Sequence, residues 1–264
     1  MRLGVNTVLF CGFDFRTAMQ HIKWAGYGAA EISAIQGMCE HLRLDAWQHQ
    51  AAEIKAVSVD LELPITAMEE AALDEERLLR AFEAGAALDV PVVNIGPGGS
   101  KDNPSDLDRC VDLMAALAEK AEPFGVTLCV KAHVGAAIWN TATTLEAMAR
   151  IDSPAFGIDM DPSHIHRAGE MPRDALKRVI SRVRHVHIRD CAGPGPSPGP
   201  PELQACGRGD IDLRGYCRVL AEAGYAGPVN LEVIGAAEYP LSRCAIIAAE
   251  SYGYLNACLQ TCDA

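Results

Sequence analysis

Short apolar runs rich in β-branched residues alternate along the chain with segments whose apolar residues recur at helical spacing. These runs predict eight strands, over residues 3–8, 30–33, 61–66, 92–95, 127–131, 155–160, 185–189 and 229–233. The segments between them predict helices. Residues suited to cap a helix N-terminus precede several of these helices: Asp14, Asp74, Asn103 (followed by Pro104) and Asp212.

The alternation of strands and helices predicts an α/β fold with a parallel sheet and crossover helices. Eight such units in 264 residues fit a single-domain (β/α)₈ TIM barrel over residues 1–264 better than an open, doubly wound sheet. No GxGxxG sequence follows the first strand, which argues against a dinucleotide-binding domain. In such barrels the active groups lie at the C-terminal ends of the strands, so polar residues there are the candidates for chemistry.

Composition narrows the classes of protein without identifying a function. Apolar residues make up 49% and charged residues 22%, which is typical of a soluble globular chain. The net charge of −12 repels phosphate backbones and anionic lipids, so neither a nucleic acid nor a membrane is expected as a partner. The ten cysteines show no CxxC spacing and several lie in apolar runs, which predicts reduced core residues. With no signal peptide apparent, we expect a cytoplasmic protein.

Polar residues concentrate at the ends of the later predicted strands. Five of the eight histidines are found there: His133, His164, His166, His185 and His187. Asp161, His187 and Glu232 follow or lie on consecutive strands, and two carboxylates with an imidazole suit a divalent cation such as Mn²⁺, Mg²⁺, Co²⁺ or Zn²⁺. Burying two carboxylates at a barrel mouth without a cation would be costly. One bound divalent metal ion is therefore predicted.

Four sequence pieces carry a resemblance to a known family. They are Asp161-Pro-Ser-His164, His185-Val-His187-Ile-Arg-Asp190, Gly207-Arg-Gly-Asp-Ile-Asp212 and Gly224-Tyr-Ala-Gly-Pro-Val-Asn-Leu-Glu232. The chain resembles the xylose-isomerase-like TIM-barrel superfamily, in particular its sugar phosphate isomerase and epimerase branch. The resemblance implies a cation held by Asp161, His187 and Glu232, together with a glutamate from the fifth strand.

The fifth strand departs from that pattern, because Lys131 stands where the family has the glutamate. The family's epimerases use that glutamate with the one on strand eight as an acid/base pair, so symmetric transfer between these two positions is unavailable. Three arrangements remain open. His133 or His164 completes the coordination, or Lys131 is neutral with a lowered pKa that suits a base or Schiff-base nucleophile, or Lys131 pairs with Asp161 or Glu232 in a site without metal.

Three functions are compatible with these residues. The first is a metal-dependent isomerase or epimerase of a small keto sugar, sugar phosphate or sugar acid through an enediolate. In it Lys131 or Glu232 moves the proton and His164 assists. The alternative is a lyase (decarboxylase, aldolase or dehydratase) on a keto sugar acid that uses Lys131. The third is a sugar-binding protein without activity. Abasic-site endonucleases share the fold, but the acidic charge argues against them.

Several further residues are expected to contact the sugar. Asn6 and Glu31 either bind its hydroxyl groups or fill polar layers of the barrel. Arg189 either binds a substrate carboxylate or phosphate or pairs with Asp190, itself a candidate for substrate binding. The glycine- and proline-rich run 192–201 forms either a closing lid or a passive loop. A homodimer is also open.

Overall fold

Eight parallel strands close into a ring in the computed structural model, which describes residues 1–262. Together with one short strand outside the ring, β3, the strands of the described residues are β1 (Arg2–Asn6), β2 (Ala29–Ile35), β3 (Cys39–Glu40), β4 (Ile65–Ala71), β5 (Val92–Ile95), β6 (Thr127–Lys131), β7 (Phe156–Asp159), β8 (Val183–Ile188) and β9 (Pro228–Leu231). Their order is β1-β9-β8-β7-β6-β5-β4-β2, and pairing of β1 with β2 closes the ring. The two-residue β3 pairs antiparallel with β2 outside it. The predicted (β/α)₈ barrel is confirmed.

Helices connect the strands on the outside of the ring. They are α1 (Phe15–Trp24), α2 (Trp47–Asp60), α3 (Glu75–Leu88), α4 (Pro104–Ala121), α5 (Thr141–Arg150), α6 (Pro162–Arg167), α7 (Pro172–Val179), α8 (Pro201–Gln204), α9 (Leu213–Glu222) and α10 (Leu241–Gln260). Each predicted cap accepts a backbone N–H of the first turn, as Asp14 does from Thr17 at 2.7 Å. Among residues 1–262, no helix combines the length and apolar character that a membrane span needs.

Apolar side chains of the strands and of the inward helix faces form one large buried cluster. Eight of the ten cysteines are buried, Cys11 and Cys262 are partly exposed, and all ten are free thiols. The expectation that most cysteines serve as small hydrophobic core residues is confirmed.

The third barrel strand begins later than predicted, at Ile65 instead of residue 61. Leu61 is the C-cap residue of α2, so it belongs to the end of the preceding helix. Glu62 has a left-handed φ of 48°, and the chain therefore turns before the strand begins. The strand continues through Glu69 and Glu70, two glutamates that break the apolar pattern. Glu70 faces Arg77 at 2.6 Å, whereas Glu69 is buried at the mouth of the barrel. This displacement is the reason that Glu69 is absent from the predicted site.

Gly4 of β1 lies where the backbone needs room inside the ring. A methyl group at Gly4 would lie 2.1 Å from Asn230 Oδ1 and 3.0 Å from the carbonyl oxygen of Ala29. Asn230 of β9 in turn lies within hydrogen-bond distance of His185, with 2.8 Å between Nδ2 and Nε2. The glycine therefore lets a polar side chain pack inside the barrel beneath the site.

We expect Gly4→Ala to lower the free energy of unfolding by about 1–3 kcal/mol, because the added methyl overpacks a filled interior. Gly28→Ala is the matched control, since its methyl would meet only Arg2 Cγ at 3.9 Å. Both changes reduce the entropy of the unfolded chain in the same way, so the comparison isolates the steric effect. Urea unfolding followed by circular dichroism measures it, and equal stabilities of the two variants would contradict the packing described.

Candidate active site at the mouth of the barrel

A cavity of about 270 Å³ opens at the C-terminal ends of the barrel strands. Its polar lining consists of Glu69, Lys131, His133, His164, Arg167, Arg189 and Glu232, and its apolar lining includes Ile35, Met38, Ala71 and Ile234. A small concave site with a few convergent charged groups is typical of an enzyme for a small molecule.

Lys131 ends β6 and is the centre of this cavity's polar floor. Its Nζ donates hydrogen bonds to Glu69 Oε1 and Glu232 Oε1, both at 2.9 Å, and lies 3.1 Å from His187 Nδ1. Burial by itself would lower the pKa of Lys131, but the carboxylates of Glu232 and Glu69 outweigh it and raise the pKa above its ordinary value. Lys131 is therefore an ammonium. Of the arrangements that the sequence left open, a neutral lysine with a lowered pKa is wrong, and the structure shows the pairing of Lys131 with Glu232.

Glu69 and Glu232 share this ammonium but differ in their other contacts. Asn6 Nδ2 donates to Glu69 Oε2 at 2.6 Å, whereas Arg189 Nη2 lies 3.3 Å from Glu232 Oε2. Burial, together with the charge of Glu232, raises the pKa of Glu69 to about 7. Burial would also raise the pKa of Glu232, but the cations of Arg189 and Lys131 hold it well below its ordinary value. The two carboxyl groups therefore titrate in different pH ranges.

Arg189, directly after β8, forms a second buried cation beside the first. Its Nε donates to Ser163 Oγ at 2.8 Å, and its Nη2 lies 3.1 Å from Asp161 Oδ2 and 3.0 Å from His164 Nε2. Asp161 Oδ1 accepts the backbone N–H of Ser163 at 2.7 Å and thus caps α6. Asp161 consequently orients Arg189 and the helix that carries His164.

His187 lies below Lys131, between two carboxylates. Its Nε2 is 2.6 Å from Glu31 Oε2 and its Nδ1 is 2.6 Å from Asp159 Oδ2. Burial opposes the charged form, but Asp159 and Glu31 outweigh it and raise the pKa of His187 well above its ordinary value. His185 extends this buried layer through a 2.8 Å contact from Nδ1 to Asp159 Oδ1.

His133 and His164 stack against each other at one wall of the cavity, with ring centroids 4.2 Å apart. The backbone N–H of Val134 donates to His164 Nδ1 at 3.2 Å. Burial, reinforced by the charge of Arg189, holds the pKa of His164 well below its ordinary value, and burial lowers the pKa of His133 as well. Both rings are therefore neutral and offer hydrogen bonds without charge.

The structure brings several predicted residues to the cavity and corrects the placement of others. Lys131, His133, His164, Arg189 and Glu232 line it as expected, and Glu69 joins them. Three residues predicted to contact the substrate lie elsewhere, because each is engaged in holding the protein itself. The first is Asn6, which donates a hydrogen bond to Glu69. The second is Glu31, which contacts His187. The third is Asp190, which accepts the backbone N–H groups of Cys191, Gly207 and Ile211.

The residues predicted to hold a metal ion differ from those whose donor atoms lie close together in the structure. Among residues 1–262, two trios have donor atoms within 4.8 Å of one another, namely Glu31, His185 and His187, and Glu69, His187 and Glu232. Asp161 and His133 belong to neither, since Asp161 faces Arg189 and His133 stacks on His164. In the second trio every member already lies within 3.1 Å of Lys131 Nζ. As arranged, the second trio has no room for a divalent ion, because Lys131 Nζ already lies among its donor atoms.

The glycine- and proline-rich run after β8 lies over the cavity. The guanidinium of Arg167 donates to the carbonyl oxygens of Gly195, at 3.1 Å from Nε, and of Pro196. Pro196 and Pro198 line the cavity directly. The run therefore forms part of the site's wall and is tied to α6 by a side chain that also faces the cavity.

Comparison with known proteins gives relatives among sugar enzymes. The chain is 25% identical over 237 residues to an inosose isomerase of Halalkalibacterium halodurans, covering 85% of this chain and 84% of the relative. It is 27% identical over 103 residues to an inosose dehydratase of Bacillus cereus, covering 39% and 34% of the two chains.

Solved structures of similar shape share the fold over nearly the whole chain. A D-tagatose 3-epimerase-like protein superposes with a TM-score of 0.81 at 21% identity, covering 100% of this chain and 98% of that one. The IOLI protein, solved with a zinc atom bound, gives a TM-score of 0.81 at 18% identity and covers 99% of each. The family model described as xylose isomerase-like TIM barrel matches residues 3–250, and the chain belongs to that family.

Proposed function

We propose that this protein is an isomerase or epimerase of a small keto sugar or cyclic polyol ketone, acting by proton transfer at the carbon next to the carbonyl. The observation that carries the proposal is the pair of buried carboxyl groups, Glu69 and Glu232, on one ammonium at the floor of a small cavity. Two such groups allow one to remove a proton and the other to return it. Lys131 stands at the position where the family's epimerases have one glutamate of their acid/base pair. In this proposal, Glu69 of β4 takes the role of that glutamate.

The reaction needs a base, an acid and a cationic environment for the oxyanion. A carboxylate takes the proton from the α carbon, the C–H electron pair forms a carbon–carbon double bond, and the carbonyl π electrons move onto oxygen as an enediolate. The abstracted proton stays on this first carboxyl group, and the second delivers its own proton. Delivery to the other face of the same carbon gives an epimer. Delivery to the former carbonyl carbon, with a hydroxyl proton passing between the two oxygens, gives an isomer. Lys131 and Arg189 supply positive charge beside the developing oxyanion.

The separation of the two carboxyl pKa values supports this assignment. Glu232 stays ionised beside Lys131 and Arg189 and suits the base, whereas Glu69, with a pKa of about 7, suits the group that gives a proton back near neutral pH. His164 is neutral and lines the same cavity, and its Nε2 lies 3.0 Å from Arg189 Nη2, so it is suited to orient that cation.

The relatives support an enzyme of sugars and also a second candidate, a dehydratase. The matched isomerase and dehydratase both act on inosose by name, and loss of water from a β-hydroxy ketone begins with the same α-proton removal. Glu69 in its protonated form could then protonate the departing hydroxyl group. The lyase routes through an imine on Lys131 are disfavoured, because an ammonium is not a nucleophile.

The IOLI neighbour was solved with a zinc atom bound, which makes a metal ion a candidate cofactor for this chain. The acidic and histidine side chains at the floor of the cavity are engaged by Lys131, Arg189 and each other. The proposed proton transfer therefore uses only the side chains described above.

We expect Glu232→Gln and Glu69→Gln each to lower kcat by about 10²–10⁴-fold, since each removes one member of the acid/base pair. Glu70→Gln is the control, because it makes the same change one residue along β4, where the side chain faces Arg77 outside the cavity. The assay is deuterium uptake from D₂O into a panel of keto sugars and inososes, with folding checked by circular dichroism. Full activity of both site variants would refute the proposal.

The same assay separates the two candidate functions. Solvent deuterium in recovered substrate or in an isomer of equal mass indicates an isomerase or epimerase. Loss of one water, with the ultraviolet absorbance of a conjugated ketone, indicates a dehydratase.

We also expect Arg167→Ala to loosen the run 192–200 over the cavity, because it removes two hydrogen bonds to the backbone of that run. Loss of about 1.4 kcal/mol corresponds to roughly tenfold faster opening. Arg178→Ala, a change of the same kind at an exposed position on α7, is the control. Hydrogen exchange at the amides of Gly195, Ser197 and Gly199 measures the effect, and equal rates in both variants would contradict it.

A further inference from the structure

We propose that the ammonium of Lys131 takes the place of a divalent cation among Glu69, His187 and Glu232, so that this chain binds no divalent ion there. The inference about occupancy follows from the geometry alone. Its catalytic consequence, an enolisation that needs no metal, rests on the proposed function.

A divalent ion and the ammonium of Lys131 cannot both lie among the three donor residues. The trio's donor atoms lie within 4.8 Å of one another, and Lys131 Nζ is 2.9, 2.9 and 3.1 Å from them. A divalent ion such as zinc needs its oxygen and nitrogen ligands at about 2.0–2.2 Å. It would therefore have to occupy nearly the same point as Nζ. Lys131 is 4% exposed, and its stem ends a barrel strand, which fixes where the ammonium lies.

The other polar atoms of the trio also lie against groups of the protein. Asn6 donates to Glu69 Oε2, and Arg189 lies against Glu232 Oε2. Both ring nitrogens of His187 are within 2.6 Å of a carboxylate oxygen. An incoming ion would have to displace these contacts as well as the ammonium.

The positive charges at the mouth of the barrel also oppose the binding of a divalent ion. The carboxylates of Glu69, Asp161 and Glu232 at the mouth each face Lys131 or Arg189. These cations are covalently part of the chain, so they cannot be exchanged for an ion from solution. A divalent ion added beside them would meet two fixed positive charges in a buried site, where charges interact more strongly than in water.

A lysine in this place also offers what an enolising site needs. An ammonium has three N–H donors, and Glu69 and Glu232 take two of them. The third side of the ammonium faces His187 Nδ1 at 3.1 Å. Lys131 thus supplies a localised positive charge beside the oxygen on which negative charge develops.

The experiment titrates Mn²⁺ into EDTA-dialysed protein and follows free Mn²⁺ by electron paramagnetic resonance. Manganese is chosen because its preference for oxygen ligands avoids the cysteines. We expect no stoichiometric binding to the wild-type chain. Lys131→Glu, which restores a carboxylate and removes the ammonium, should bind one Mn²⁺ at least tenfold more tightly. Lys131→Gln, which removes the charge without adding a ligand, is the matched control and should bind less tightly than Lys131→Glu.

One Mn²⁺ per wild-type chain, released by Glu232→Gln, would overturn the inference. So would Lys131→Glu protein that is folded by circular dichroism yet binds Mn²⁺ no better than wild type. Because these readouts need no substrate, they hold whether or not the proposed sugar chemistry is correct. If the wild type exchanges substrate protons, treatment with EDTA should leave that rate unchanged, and a loss restored by Mn²⁺ would count against the inference.

Discussion

The contact of one buried ammonium with two buried carboxylates determines the rest of the site. A carboxylate removed from water without a partner costs several kcal/mol, and Glu69 and Glu232 both lie at the barrel mouth with almost no exposure. Lys131 offsets that cost for both at once. Without it, neither glutamate would remain close to the other, and the cavity would lose the groups that give it chemical character.

A second layer of buried, oppositely charged side chains lies below this contact. Glu31 and Asp159 hold His187 as a cation, and Asn94 and His185 complete their hydrogen bonds. Each of the four carboxylates in the two layers therefore lies against Lys131 or His187, and these side chains come from strands on several sides of the barrel. This arrangement resists rearrangement, since a change at one residue leaves its neighbour buried and unpaired.

The sequence was sufficient for the fold because hydrophobic periodicity and helix caps are local signals. It also pointed to Lys131 and Glu232, which end or follow strands whose bounds were well predicted. It missed Glu69, since two adjacent glutamates do not resemble a buried strand. It left open whether Lys131 is neutral or paired with a carboxylate, because the glutamates that raise its pKa are 62 and 101 residues away in the chain. Asp190 likewise looked like a site residue, although its partners are backbone amides of a distant loop.

The position of the apolar cavity residues has a consequence for how substrate preference can change. Ile35 and Ala71 end β2 and β4, and Ile234 follows β9, so these rim side chains come from three different strands, while the ionic floor is held together as one unit. Replacing any of these rim side chains alters the shape and depth of the opening without disturbing the charges beneath. In the proposed reaction, the rim therefore selects the substrate and the ionic floor performs the chemistry, so we expect single exchanges at the rim to change specificity.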